Sequence, residues 1–353
     1  PLLLPIHPFH SLHNTAPSKV HWCNSSSAQI YRNHRSGSMG ALTPSSSPAT
    51  ACPEKTSKSF LANLVERMNP QTCLGTNHTN EDDFGAMVMT ILDDLKSENS
   101  RSSALEQLYK MCDANHKYNR IPMVCTSEWN IIESLTECLS YESDPRMTLL
   151  ILNDLSIPFE NKAVMCLGPS SNVLLDAVLK VIQNGENESY LCCILLMNLS
   201  FLEDARIKLV EYKGGLDDSK SLLRTMELLL KTYSQFLDKK VFSVEGEAVR
   251  WTTGLLRNLT STEQGAIVVS KTDIPSLILS YVRDSNKPLH EWTLDSLEDL
   301  SLQVLVNLAT HEQSAECLKL LKAQHAFDFI VNQQAQERSI HVVRASFLQM
   351  HLQ

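Results

Sequence analysis

LLILNDLSI at residues 149–157, CILLMNLSF at 193–201, TGLLRNLTS at 253–261 and LQVLVNLAT at 302–310 repeat one pattern, an apolar run that closes on asparagine and leucine. Their asparagines, Asn153, Asn198, Asn258 and Asn307, are separated by 45, 60 and 49 residues. The apolar positions recur at the helical period, so each stretch reads as a helix with a buried stripe, and its recurrence reads as a repeat array. Extending the register backward reaches Lys110 of LEQLYKMC, 43 residues before Asn153; extending it forward reaches His351 of LQMHL, 44 residues after Asn307. Six copies of one helix are therefore expected.

A second helix precedes each copy, over about 84–95, 129–139, 173–183, 221–237, 274–282 and 326–332. Polar turns such as NGENES at 184–189 and RDSNKP at 283–288 separate the two, with the breakers expected between antiparallel helices. A shorter third element leads four of the units: NKAVMC at 161–166, DARIKLV at 204–210, EQGAIVVS at 263–270 and QSAECLKLL at 313–321. One such triplet cannot bury its own stripes, whereas stacked triplets share a continuous core. Leu195, Leu199, Leu255, Leu259, Leu305 and Leu308 are expected in that core.

The order short, long, long over about 42 to 45 residues resembles the armadillo repeat, from roughly Asn80 to Gln353. HEAT repeats share the same physics. The resemblance implies an all-α, right-handed superhelical solenoid of about six three-helix copies, the terminal ones degenerate. It also implies protein binding along a concave face lined by the last helix of each triplet. The family's Asn-Leu pair maps onto Asn198-Leu199, Asn258-Leu259 and Asn307-Leu308, while Asn153 is separated from Leu155 by Asp154. In relatives such asparagines grip an extended peptide backbone; an asparagine near a helix end also satisfies local backbone groups. Importin-alpha-like members carry Trp four residues before the asparagine, where this chain has Leu149, Ile194, Gly254 and Gln303.

Around the array, residues 1–60 hold 12 serines, seven of the 14 prolines and a single acid, Glu54, which leaves them at +4 and residues 61–353 at −13. That composition predicts a disordered tail over 1–60, a linker or partial helix over 61–79 and the repeat domain over 80–353. His7, His10 and His13 read as solvent-facing residues of the tail. The long interval between Asn198 and Asn258 predicts an insertion around 211–240, either a partner-specific site or a tolerated excursion. Pro1 in place of Met, and a last helix running to Gln353, suggest a fragment of a longer array.

The formal net charge of −9 argues against broad, sequence-independent nucleic-acid binding, which needs Lys and Arg to displace counterions. Ten cysteines without a CxxC pair read as buried thiols of a reducing compartment, the cytoplasm, the nucleus or both. No apolar stretch is long enough to span a membrane. GxSxG, HExxH, GxGxxG and GxxxxGK motifs are all missing, so no catalytic residue, cofactor or metal is expected.

Tracing the repeated helices by fours and sevens gives a partner-binding stripe of Arg146, Asn153, Asn198, Arg250, Trp251, Arg257, Asn258, Gln303 and Asn307. Trp251 reads either as an interface anchor or as a core residue between repeats. The function expected is a noncatalytic scaffold or adaptor for a protein or an extended peptide. Cargo transport of the importin-alpha type, regulation of a small GTPase or cytoskeletal protein, and a noncatalytic role in an enzyme complex are the alternatives.

Overall fold

The computed structural model describes residues 81–353 apart from 142–144, 186, 215–220, 235–242, 286–290, 334–339 and 353. The tail 1–60 with His7, His10 and His13, the linker 61–79 and parts of the region 211–240 lie outside the described residues.

The described residues form helices and turns, with no strand among them. Helices open where a hydroxyl residue precedes an apolar run. Ser221, Ser243, Thr262 and Ser296 each accept a hydrogen bond from the backbone N–H three residues on, at Arg224, Gly246, Gly265 and Asp299. Each such cap satisfies one of the free donors of a helix start and stabilises it by about 1 kcal/mol.

In chain order the helices are α1 (Glu81–Leu95), α2 (Glu98–Cys112), α3 (Arg120–Cys125), α4 (Ile131–Tyr141), α5 (Arg146–Leu155) and α6 (Phe159–Leu167). There follow α7 (Ser171–Gln183), α8 (Ser189–Leu199), α9 (Glu203–Glu211), α10 (Leu222–Tyr233), α11 (Val244–Leu259) and α12 (Glu263–Ser270). The last are α13 (Ile274–Arg283), α14 (Leu297–Thr310), α15 (Glu312–Leu320), α16 (Gln324–Gln333) and α17 (Ile340–His351).

Each helix packs against the third one along the chain, which sorts them into three rows. One row runs α2, α5, α8, α11, α14, α17; a second runs α1, α4, α7, α10, α13, α16; the short helices α3, α6, α9, α12 and α15 form the other. The short helix meets the next at 88° in both α6–α7 and α12–α13. A chain that turns back on itself every three helices is a repeat array, as the spacing of the four opening stretches predicts.

The rows close over one continuous apolar core. Leu195, Leu199, Leu255, Leu259, Leu305 and Leu308 are all fully buried within it. Each contributes roughly 1.5–3 kcal/mol by leaving water. α8 is apolar on every side because α5, α11, α6 and α7 surround it. No single helix among the described residues is long and apolar enough to cross a membrane.

Two features depart from the sequence reading. α3, with sequence RIPMVC, was not among the short helices expected; Pro122 stands in its first turn, where a missing N–H costs nothing, and Met123 and Val124 are buried. α10 is described as far as Tyr233, with 235–237 outside the described residues, and α11 has 16 residues against 10 in α5. Part of the extra length between Asn198 and Asn258 is therefore a longer α11.

Candidate functional site: the row from α5 to α14

α5, α8 and α11 each end on a leucine, Leu155, Leu199 or Leu259, followed by a hydroxyl residue, Ser156, Ser200 or Thr260. That hydroxyl donates to a carbonyl of its own last turn: Ser156 to Asn153 at 2.7 Å, Ser200 to Met197 at 2.6 Å and Thr260 to Leu256 at 2.8 Å. Its oxygen remains free to accept. In each case the amide of the next copy fills that role: Asn198 donates to Ser156 at 3.1 Å, Asn258 to Ser200 at 2.9 Å and Asn307 to Thr260 at 3.2 Å. Asn307 also donates to the Arg257 carbonyl at 2.9 Å, and Arg257 Nε donates to the Asn258 side-chain oxygen at 3.1 Å. Three of the predicted asparagines thus join adjacent repeats through these bonds.

Asn153 occupies a different place. Counted from the helix-ending leucine, the position of Asn198 and Asn258 falls on Asp154. Asn153 lies one residue earlier, is buried, and donates to the carbonyls of Leu149 and Leu191 at 2.9 and 3.0 Å. Asp154 instead faces Arg120, whose Nη2 lies 3.0 Å away and whose Nε donates to the Cys112 carbonyl at 2.6 Å. An ion pair therefore joins α5 to the first residue of α3, which in turn holds the end of α2 through the Cys112 carbonyl, where later copies use an amide and a hydroxyl. Burial pushes the Asp154 carboxyl up to about 6 against the pull of Arg120, with Asp113 adding to the rise.

At the other end, Asp299 of α14 is buried against two groups of α17, His341 at 3.1 Å and Arg344. Gln303 donates to the same carboxylate at 2.7 Å, as does the backbone N–H of Asp295 at 3.1 Å. Burial alone would raise the Asp299 carboxyl; the hydrogen bond from His341, the Arg344 charge and the Asp295 amide outweigh it and hold the group below the usual carboxylate value.

Of the remaining predicted residues, Arg146 on α5 is exposed, and Arg250, Trp251 and Arg257 on α11 are half-buried. Arg146 Nη1 reaches the Tyr190 hydroxyl of α8 at 3.4 Å. On α11 the Arg250 guanidinium lies 4.2 Å from the centre of the Trp251 ring. Glu247 accepts from Arg250 and from the Trp251 indole N–H, each at 3.0 Å, and fixes both. Trp251 is half-buried against the core, and its ring carries the Arg250 guanidinium. Met197 of α8 lies against Gly254, where an added Cβ would meet its sulfur at 3.2 Å.

Two participants escaped the sequence reading. Glu247 stands three residues before Arg250 and four before Trp251, a spacing that places all three together on a helix. Asp295 had no such signal: it reaches Arg257 Nη1 at 3.2 Å and offers its carbonyl to Arg250 Nη1 at 3.3 Å only because α14 stacks on α11.

Two surface clefts of about 450 and 670 Å³ lie elsewhere, the first beside Arg101 and Tyr141 and the second beside Tyr212 and Arg224. Neither is lined by any residue of the predicted stripe. Among the described residues no cluster of His, Cys, Asp or Glu has the arrangement of a metal site. Cys192 and Cys193 are fully buried, and burial pushes the Cys193 thiol up to about 12, far from the thiolate a nucleophile needs. Among the partly exposed side chains of the row are the guanidinium groups of Arg250 and Arg257 and the indole of Trp251. No family model matches the chain, and no curated protein matches it in sequence.

Proposed function

We propose that this chain is a noncatalytic interaction scaffold, a right-handed armadillo-like solenoid of about six copies whose concave face, formed by the row from α2 to α17, holds an extended segment of a partner protein in the cytoplasm or nucleus. The observation that carries this reading is the presentation of Arg146, Met197, Arg250, Trp251 and Gln303 on successive helices of one row that is locked in register beneath them. Helices about 8–10 Å apart match roughly three residues of extended peptide at about 3.3 Å each. A partner laid across the row therefore offers each repeat a side chain in turn, and affinity accumulates from modest contacts.

The asparagines contribute by holding the helices together, and the contact surface is carried by the arginines, Trp251, Met197 and Gln303. Arginine and tryptophan are the residue types that most often dominate interface energetics. The Trp-Asn ladder of importin-alpha-like cargo receptors is missing, which favours a general scaffold over that form of transport.

The test is photo-crosslinking of the full chain in cell extract, with the reactive residue placed either at Met197 and Gln303 or at Val173 and Leu228 of the α7–α10 row. Specific adducts from the first pair alone support the reading. Adducts from the second pair alone overturn it.

A further inference from the structure

We infer that Arg250, Trp251 and Arg257 form a subsite for an acidic side chain of an extended peptide, and that the turn carrying Asp295 occupies this subsite as an internal surrogate ligand. The inference rests on the scaffold reading above and names the chemistry of its partner.

Arg250 and Arg257 are two turns apart on α11, so both project from one face with Trp251 beside the first. Glu247 holds the indole N–H and the Arg250 guanidinium in place, and the stacked Arg250 fixes the ring plane. Such a constellation loses little side-chain freedom when a ligand arrives. The turn ahead of α14 lies across this face: its carboxylate is on Arg257 Nη1 at 3.2 Å and its backbone carbonyl on Arg250 Nη1 at 3.3 Å. An extended acidic peptide offers the same two acceptors, a carboxylate and a main-chain carbonyl. Asp295 is 58% exposed in its side chain, Leu294 beside it is 72% exposed, and the Asp295 backbone has φ +62°. The backbone of the turn is held from the other side, by the Asp295 N–H on Asp299 at 3.1 Å and by buried Trp292, so a competing carboxylate has only the exposed Asp295 side chain to displace from Arg257.

Charge selects the kind of ligand. With residues 61–353 at −13, a long polyanion such as nucleic acid is repelled at distance, whereas one or two carboxylates on a short segment need only the local arginines.

The experiment measures fluorescence anisotropy of a fluorescein-labelled Gly-Ser decapeptide carrying two Glu, with the same decapeptide carrying two Lys as control, on the full chain. If the Asp295 carboxylate covers Arg257 in about four molecules of five, removing it tightens binding about fivefold. Asp295→Asn, which keeps a side chain tolerant of the left-handed backbone while removing the charge, should therefore bind the Glu peptide about fivefold more tightly than wild type. Arg257→Gln should weaken the Glu peptide at least about tenfold in either background, and the Lys peptide should bind none of these proteins. The inference is overturned if Asp295→Asn binds the Glu peptide no better than wild type, if Arg257→Gln leaves binding unchanged, or if the Lys peptide binds equally. Crosslinked adducts at Met197 that an excess of the Glu peptide fails to displace would also overturn it, while leaving the scaffold reading intact.

Discussion

Asn258 donates its side-chain amide to the hydroxyl of Ser200 at 2.9 Å, across 58 residues of chain. Ser200 passes its own hydrogen to the Met197 carbonyl at 2.6 Å. One serine therefore closes the end of α8 and fixes the height at which α11 stacks on it. Sliding α11 by a residue would leave the amide and the hydroxyl without each other in a buried place, a loss larger than the net value of the bond itself. Ser156 with Asn198 and Thr260 with Asn307 repeat the device, so the register of the row is set by polar groups while its cohesion comes from leucine.

Asn258→Ala should lower the unfolding free energy by about 1–3 kcal/mol, the cost of leaving a buried hydroxyl with one partner fewer. Ser200→Ala should cost a similar amount, since it leaves the buried Asn258 amide N–H without its acceptor. Urea unfolding of both variants and of the pair should show a coupling of about 1 kcal/mol. Strict additivity would mean that the two side chains do not stabilise each other.

Gly265→Ala is expected to destabilise the protein although the residue is helical. Alanine gains about 1 kcal/mol over glycine by helix propensity. A Cβ on Gly265, however, would lie 2.0 Å from the Leu259 carbonyl oxygen and 2.8 Å from its carbon, both backbone atoms. Relieving that overlap moves α12 away from the end of α11, and the cost of about 1–3 kcal/mol or more exceeds the gain. Gly254→Ala is the contrast: its nearest atom is the sulfur of flexible Met197 at 3.2 Å, so its thermal midpoint should stay close to that of wild type.

The array was legible because its signal is periodic and apolar: the leucines at 195, 199, 255, 259, 305 and 308 announce the stripe and are fully buried. Polar roles were harder to read. Asn153 invites alignment with the other asparagines by letter, yet the leucine that ends the helix sets the register and assigns the place to Asp154. Ser156, Ser200 and Thr260 sit beside those asparagines in sequence, but each bonds the asparagine one repeat later, a partner found only after the stacking is known. Asp295 likewise meets Arg257 across 38 residues. α3 was missed because six residues containing a proline carry too little periodicity to stand out.

Arg344→Ala should loosen α17 specifically. The substitution leaves the Asp299 carboxylate, 1% exposed, with His341 as its remaining side-chain partner on that helix. Removing one partner of a buried ion pair costs about 3 kcal/mol. Amide exchange in α17 should accelerate at least about tenfold while α5 and α8 keep their protection. Because the folded state holds the Asp299 carboxyl below its ordinary value, its stabilisation is present above about pH 4 and fades as the pH falls through the depressed value. Equal loosening of every helix in the array would count against a local tie.

Asp154 should behave in the opposite sense. Burial pushes its carboxyl up to about 6, above the unfolded value of about 3.9, so the folded state binds the proton more tightly than the unfolded chain does. Stability is therefore reduced when the group is ionised above about pH 6 and recovers as the pH falls toward 4. The span corresponds to about 2–3 kcal/mol. Asp154→Asn reproduces the neutral form and keeps an oxygen for Arg120 Nη2, which lies 3.0 Å from the carboxylate. It should be more stable than wild type at pH 7, and the two thermal midpoints should converge near pH 4. Midpoints that stay parallel from pH 7 to pH 4 would show that Arg120 fully offsets the burial of Asp154. In that case the ion pair, rather than the desolvated acid, would govern the junction of α5 with α3 and the end of α2.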